Sequence, residues 1–307
     1  MSKFKTAVKL LKGDKGDFCA LIVKNLSFLF PDKLYLTLLY RCTMGYWINW
    51  KSPKTFNEKL QWLKLYDRKP EYTTMVDKYA VKEYVASKIG MEYINPTIGV
   101  WDTIGEIDWD KLPKQFVLKT THGGGGTGVV ICKNRENFDK KEAIARLKLS
   151  LKHDIYKKFR EWPYKNVQRK IIAENYLEDE KTGELRDYKF FCFNGKVKAL
   201  FVATERQRRD EPFFNFFDEN FKQLNVKQGH PVSLVPPAKP ELFDQMKRLA
   251  EVLSKDLSCV RIDFYQANGK IYFGEFTFYH FGGIVPFEPN EWDYKFGSWI
   301  TLPNMAN

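Results

Sequence analysis

With 307 residues, 44% of them hydrophobic and 16% aromatic, the chain has apolar material for two or three compact units, which excludes a disordered protein. A formal net charge of +12 is spread along the chain and favours acidic partners: nucleotides, anionic glycans, nucleic acids or lipid headgroups. The five cysteines, Cys19, Cys42, Cys132, Cys192 and Cys259, are odd in number and form no C-x-x-C pair, so neither a disulfide framework nor a zinc site is expected and a reducing cytosol fits best.

Phe18 to Phe30 is apolar but is broken by Lys24 and Asn25, too short for a membrane span and without a small-residue cleavage site. Together with Lys3, Lys5, Lys9 and Lys12 it reads either as an amphipathic helix resting on an anionic leaflet or as an ordinary helix covering the core. Thr55-Phe56-Asn57-Glu58 is a capping box that opens a helix with Phe56, Leu60 and Leu63 at helical spacing. A second helix is expected from about Thr74 to Lys88, stopping at Gly90, with Lys78 and Lys82 on one face. Helices therefore dominate the first third.

From about Pro113 the pattern turns to strands. Phe116 to His122 and Val129 to Cys132 flank a run of glycines; Lys140 to Phe159 is a basic helical stretch; Lys170 to Glu174 is a short buried strand leading into Asn175-Tyr176-Leu177; Glu178 to Arg186 is a polar loop. Tyr188 to Phe193 and Val197 to Val202 form a hairpin about Asn194-Gly195. A helix from Glu241 to Leu253 carries Leu242, Met246, Leu249 and Leu253 on one stripe, and strands Val260 to Tyr265 and Ile271 to Phe276 surround Asn268-Gly269. No internal repeat or low-complexity segment is evident. The fold class is α+β.

Gly123-Gly124-Gly125-Gly126-Thr127-Gly128 is the most informative segment, because a loop almost without side chains brings backbone N–H groups up to an anion. Its flanks decide the kind of loop. A dinucleotide fingerprint must open a helix, whereas Val129-Val130-Ile131 reads as a strand; a Walker loop needs Gly-Lys-Ser/Thr; and the protein-kinase loop lacks its His-Arg-Asp partner and has its lysine after the glycines. What survives is a glycine hairpin with an upstream phosphate-binding lysine, Lys119, against the plain alternative of a surface turn.

A second constellation is Arg261, Asp263 and Glu275. Carboxylates are natural magnesium ligands, and strand alternation puts Arg261 with Asp263, and Glu275 with Thr277, on one face of their own strands. A simple two-residue Asn268-Gly269 loop would send Glu275 to the face opposite Asp263, so a shared metal site requires an odd-length loop or a bulge. An exposed polar edge with charge pairing is the competing reading.

The order Lys78, Phe116-Val117-Leu118-Lys119 with its glycine loop, Ala173-Glu174-Asn175-Tyr176-Leu177, Arg261-Ile262-Asp263 and Gly274-Glu275-Phe276-Thr277 resembles the ATP-grasp ligases. Ser52-Pro53-Lys54-Thr55-Phe56-Asn57-Glu58-Lys59-Leu60, Val76-Asp77-Lys78-Tyr79 and Phe276-Thr277-Phe278-Tyr279 narrow the resemblance to the TupA-like branch, associated with teichuronopeptide and other surface-polysaccharide biosynthesis. The resemblance implies two α+β subdomains gripping ATP between antiparallel sheets. A mainly helical region would occupy 1–112, a lid subdomain 113–177 and a core subdomain with the metal site 178–307. It further implies that Lys78 and Lys119 approach the phosphates under a lid formed by Gly123, Gly124, Gly125, Gly126, Thr127 and Gly128. Glu174, Asn175 and Leu177 would receive adenine at the hinge, and Asp187 would hold the ribose. Asp263 and Glu275 would hold Mg²⁺, with Thr277 standing where Asn is common, and Arg261 would stabilise an acyl phosphate and its oxyanion.

The implied activity is an ADP-forming ligase joining a sugar acid or glycan to an amine, with no nucleic-acid partner, in the cytoplasm, with possible peripheral contact at the membrane surface. Arg206, Arg208 and Arg209 are candidate clamps for a carboxylate or sugar phosphate, or a solvated charged loop. His122 and His280 flank the two motifs, where local hydrogen bonding competes with substrate contact. Asp108-Trp109-Asp110, a literal D-x-D, raises a glycosyltransferase as a rival and is otherwise turn chemistry. A kinase-like phosphotransferase and a basic nucleic-acid- or lipid-binding protein without activity are the remaining alternatives.

Overall fold

The computed structural model describes residues 15–304 apart from Gly125, Thr127 and residues 206–210. Helices α1 (Lys15–Asn25) and α2 (Asp32–Met44) fold back on each other, burying Ala20 and Val23 with Tyr35, Leu36 and Leu39. Cys19 and Cys42 form a disulfide between them, with Cα atoms 5.6 Å apart, contrary to the expectation from the cysteine count. Their separation of 23 residues carries no spacing signal; the pair is created by the return of α2 along α1.

Helix α3 (Phe56–Tyr66) begins at the expected capping box: Thr55 Oγ1 accepts from the Glu58 N–H, and the Glu58 carboxylate accepts from the Thr55 N–H, both at 3.2 Å. The single helix expected from Thr74 to Lys88 is instead two, α4 (Glu71–Val76) and α5 (Ala80–Ile89). Asp77 is the cause of the break. Its Oδ1 accepts from the N–H groups of Tyr79 (2.8 Å) and Ala80 (3.1 Å), an arrangement that competes with helix continuation. Gly90 ends α5 as expected, with φ at 113°.

The first sheet is antiparallel, with strands β1 (Thr97–Trp101), β2 (Phe116–Thr120), β3 (Val130–Cys132) and β4 (Ile171–Asn175) in the order β1-β4-β2-β3. Strand β1 falls inside the stretch expected to be helical. Every residue in it is half-buried, so it lacks the alternation that betrays a strand. The basic stretch after the hairpin is divided into α6 (Lys140–Lys152) and α7 (Ile155–Phe159), because Asp154 turns aside to cap the second helix, accepting from the Lys157 N–H at 2.8 Å.

The second sheet comprises β5 (Asp187–Phe193), β6 (Lys196–Thr204), β7 (Phe213–Asp218), β8 (Cys259–Ala267) and β9 (Lys270–Thr277), ordered β9-β8-β5-β6-β7 and antiparallel throughout. Alternation divides its aromatic residues between two faces. Phe190 meets Phe243 of α8 (Phe243–Leu253), whereas Phe191 meets Phe56 of α3 and Phe296 of α9 (Glu291–Trp299). Among the described residues no helix is long and apolar enough to cross a membrane.

The β8–β9 hairpin resolves the question of register. Asn268 and Gly269 form a two-residue turn, both with positive φ (50° and 75°), between paired Ala267 and Lys270. The register then shifts between Phe273 and Glu275, leaving Gly274 bulged and setting Glu275 directly opposite Asp263. A Cβ on Gly274 would stand 3.0 Å from the Asp263 carbonyl oxygen and 3.1 Å from Tyr265 Cε2. We therefore expect Gly274→Ala to lower the unfolding free energy by ~1–3 kcal/mol in urea titration. A loss within error of zero would show that the bulge tolerates a side chain.

Candidate active site

Strand register places Lys189, Asp263 and Glu275 side by side across β5, β8 and β9; Asp187 and Arg261 lie two residues before Lys189 and Asp263 and so share their face. Arg261 holds Asp263 with a bidentate pair, Nε to Oδ1 at 2.7 Å and Nη2 to Oδ2 at 2.8 Å. The same Nη2 reaches Glu275 Oε1 at 3.3 Å and Thr277 Oγ1 at 2.9 Å. Lys189 is ion-paired to Asp263 and also to Asp187, the latter at 2.7 Å. Lys78 Nζ donates to Glu275 Oε2 at 3.2 Å.

These neighbours tune the two acids in opposite directions. Burial opposes ionisation of Glu275, but Lys78, Lys189 and Arg261 outweigh it and hold the carboxyl well below the usual carboxylate range. For Asp263 burial prevails, and the carboxyl is pushed up against the pull of Arg261 and Lys189. The Glu275 side chain is 30% accessible and that of Asp263 only 1%, so one acid meets solvent and the other lies behind it. Hard carboxylate oxygens of this kind suit a hard divalent cation that completes its shell with water and phosphate oxygens. Among the described residues no three His, Cys, Asp or Glu side chains converge as a ready metal cage.

A second charged cluster lies on the first sheet. Glu174 on β4 accepts Lys119 Nζ at 2.5 Å and Lys82 Nζ at 2.7 Å. Burial works against the Glu174 charge, and the two lysines overcome it, keeping the carboxyl below its ordinary range. Lys82 also donates to the Asn95 carbonyl and to Thr97 Oγ1, both at 2.7 Å. Lys78 connects the sheets: its N–H donates to the Thr121 carbonyl at 3.0 Å, just past β2, while its ammonium reaches Glu275 on β9. The break at Asp77 thus positions the lysine at the seam.

The glycine hairpin forms as expected, with Phe116 opposite Cys132 and Leu118 opposite Val130. Gly126 and Gly128 adopt φ of 75° and 79°, the left-handed region. A Cβ on Gly128 would also lie 2.1 Å from Ser150 Oγ, so α6 packs directly beneath the loop. His122 is buried with Nε2 3.1 Å from the Ser150 carbonyl, and burial lowers its pKa, which makes its role local hydrogen bonding. Gly125, Thr127, Arg206, Arg208 and Arg209 lie outside the described residues.

Behind Arg261, the turn His280–Gly283 is left-handed at Phe281 (φ 49°), Gly282 (62°) and Gly283 (63°). Helix α3 secures it: Gln61 Nε2 donates to the carbonyls of Gly282 (2.9 Å) and Gly283 (2.7 Å), and Lys64 Nζ to that of Gly282 (2.7 Å). The turn sets His280 Nδ1 2.6 Å from Arg261 Nη1. Because arginine only donates, Nδ1 accepts and the ring proton resides on Nε2. Lys64 and Glu161 form a buried electrostatic pair there; burial pushes Lys64 down to about 8 and Glu161 up to about 7.

Lys78, Lys119, Glu174, Arg261, Asp263 and Glu275, all singled out by the sequence, are drawn into two adjoining clusters. Glu174, expected at an adenine hinge, is engaged by two lysines; beyond it Asn175 is exposed, its carbonyl accepting from Asn95 Nδ2 at 2.9 Å, and Leu177 is half-buried. Asp187, expected at the ribose, is fully buried against Lys189, on the same face as Asp263. Lys189, Lys64 and Glu161 were missed. Lys189 alone left a trace, a cation within the otherwise apolar run Tyr188 to Phe193. Asp108 accepts from the Asp110 N–H at 3.3 Å and pairs with Lys111, so the D-x-D triplet is turn chemistry.

A family model described as TupA-like ATPgrasp matches residues 58–301, a span that includes both clusters. The chain belongs to the TupA-like ATP-grasp family. No curated protein matches it. Among solved structures it is similar to the D-alanine–D-alanine ligase of Helicobacter pylori, at 15% identity over 80% of this chain and 69% of that one, with a TM-score of 0.46. It is also similar to the ATP complex of the D-alanine–D-alanine ligase of Bacillus anthracis, at 16% identity, 66% and 53% coverage and a TM-score of 0.39. For D-cycloserine synthetase DcsG the values are 16%, 67% and 62%, and 0.36. The chain spans about half the length of the Bacillus anthracis ligase, 53%.

In this ATP-grasp protein the Lys64–Glu161 pair is testable by stability. Lys64→Met removes the cation that favours the Glu161 charge, together with its bonds to Gln61 and the Gly282 carbonyl, and should cost ~1–3 kcal/mol in urea unfolding. Adding Glu161→Gln should recover part of that loss. A double-variant loss equal to the sum of the Lys64→Met and Glu161→Gln losses would show that the two groups do not interact.

Proposed function

We propose that this TupA-like ATP-grasp protein is an ADP-forming carboxylate–amine ligase that couples an amino acid to a sugar acid of a cell-surface polysaccharide or its precursor. The observation that carries this reading is Lys78, which donates to the Thr121 carbonyl just past the strand that bears Lys119 and reaches Glu275 beside Arg261 and Asp263, with the Glu275 side chain 30% accessible. The surface-glycan assignment draws on the association of the TupA-like branch, and the +12 charge is compatible with an acidic substrate.

A carboxylate is a poor electrophile. Attack of its oxygen on the γ-phosphorus of ATP releases ADP and gives an acyl phosphate, which an amine nitrogen then displaces, releasing phosphate and leaving an amide. Such chemistry needs charge neutralisation and positioning more than a protein nucleophile. Lys78 and Lys119 would bind phosphoryl oxygens, and the N–H groups of the Gly123 to Gly128 hairpin would cover them and keep out water. Asp263 and Glu275 would hold Mg²⁺, which supplies charge neutralisation on the phosphates. Arg261, oriented by Asp263 and His280, would face the developing oxyanion. Glu174, Asn175 and Leu177 remain the candidates for the nucleoside end, while Asp187, through its pair with Lys189, suits a role in orienting that lysine.

The test is incubation with ATP, Mg²⁺ and a panel of uronic acids and amino acids, with products read by mass and by nucleotide analysis. ADP, phosphate and an amide are expected. AMP with pyrophosphate would contradict γ-phosphoryl transfer, and a stable phosphorylated sugar would indicate a phosphotransferase. Arg261→Met, which removes a preorganised donor, should lower kcat by ~10²–10³-fold. Full activity in Asp263→Asn and Glu275→Gln would remove the metal assignment.

A further inference from the structure

The corner between α1 and α2 presents apolar side chains to solvent: Ile22 is 43% exposed, Leu26 38%, Phe28 78%, Leu29 59% and Leu34 46%. The Leu26 N–H donates to the Ile22 carbonyl and the Leu29 N–H to that of Leu26, both at 3.0 Å, so these three stack in a row along successive turns.

The backbone beside this tip is anchored. Arg160, itself buried and in the left-handed region (φ 54°), donates to the Ser27 carbonyl at 2.6 Å. Its Nε lies 2.9 Å from Asp32 Oδ1, and its guanidinium covers the Tyr35 ring at 4.3 Å. Tyr35 in turn donates to the Lys158 carbonyl at 2.7 Å. The residues at the corner are therefore fixed from both sides, while Phe28 and Leu29 stay in water at a hydrophobic cost.

Cations flank the tip. Lys24 lies over Phe159 at 5.2 Å and Lys33 over Trp50 at 5.6 Å, one on each of the two helices that meet there. Lys157 and Lys158 are exposed on the adjoining helix. The carboxylate at the corner, Asp32, is committed to Arg68 and Arg160.

Apolar residues at an anchored corner, flanked by cations, match the two layers of an anionic bilayer surface: acyl chains for the tip and headgroups for the lysines. We infer that the α1–α2 corner is a docking surface for an anionic lipid bilayer, with Phe28 and Leu29 entering the interface. This inference is independent of the proposed ligase reading.

The full chain would be sedimented with vesicles of phosphatidylcholine alone and of phosphatidylcholine with phosphatidylglycerol in equal parts. Binding to the mixed vesicles is expected, weak or absent on the neutral ones, and reduced but not abolished by salt. Phe28→Asp/Leu29→Asp should weaken it by at least about ten-fold, and Lys24→Glu/Lys33→Glu should weaken it too. An unchanged melting temperature and gel-filtration volume would confirm that the variants fold. No binding by the parent protein, or binding unaffected by Phe28→Asp/Leu29→Asp, would overturn the inference. So would a concentration-dependent dimer that the same variant abolishes, without any vesicle binding, since the corner would then contact a second copy of the chain.

Discussion

Buried charge has to be met by opposite charge, and the seam between the two sheets is organised around that requirement. Glu174, Asp187, Asp263 and Glu275 are carboxylates whose removal from water is unfavourable alone, and each is answered by Lys82, Lys119, Lys189, Lys78 or Arg261. The pairing depends on one backbone irregularity. Without the bulge at Gly274, Glu275 would point through the sheet, away from Asp263, and Lys78 would lose its partner. A cluster so dense in both signs, and partly open to solvent, is suited to exchange its internal ion pairs for those of a polyanion and its cation.

The surrounding framework keeps this cluster in place from behind. Helix α3 fastens the left-handed turn at 280–283 through Gln61 and Lys64; that turn presents His280 to Arg261; and Arg261 aligns Asp263. The chain of contacts explains why a capping box far upstream in sequence bears on a carboxylate near the other end. It also gives α3 a positioning role beyond covering the sheet, since its polar side chains meet the turn while Phe56 fills the aromatic layer between β5 and α9.

Local signals in the sequence were legible where the physics is local. The Thr55 to Glu58 box, the glycine hairpin, the two Asn-Gly turns and the stripe on α8 each depend on residues within a few positions of one another. The break after α4 was written in Asp77 but competes with a continuous helical stripe, and the stripe is the louder signal. Strand β1 has no alternation to read. The Gly274 bulge was one of two open solutions, because register is decided by packing against β8, not by the turn alone. Lys189, Lys64 and Glu161, like the Cys19–Cys42 pair, become visible only once distant segments meet.

The proposed ligase activity requires that the paired lysines and carboxylates at the seam receive a triphosphate and its metal. A crystal structure with a non-hydrolysable ATP analogue and Mg²⁺ tests it most directly. The phosphates should lie between β2 and the β8–β9 hairpin, with Lys78 and Lys119 turned onto phosphoryl oxygens and the metal on Asp263 and Glu275. Nucleotide bound elsewhere, with Lys119 still on Glu174 and Lys78 still on Glu275, would contradict it.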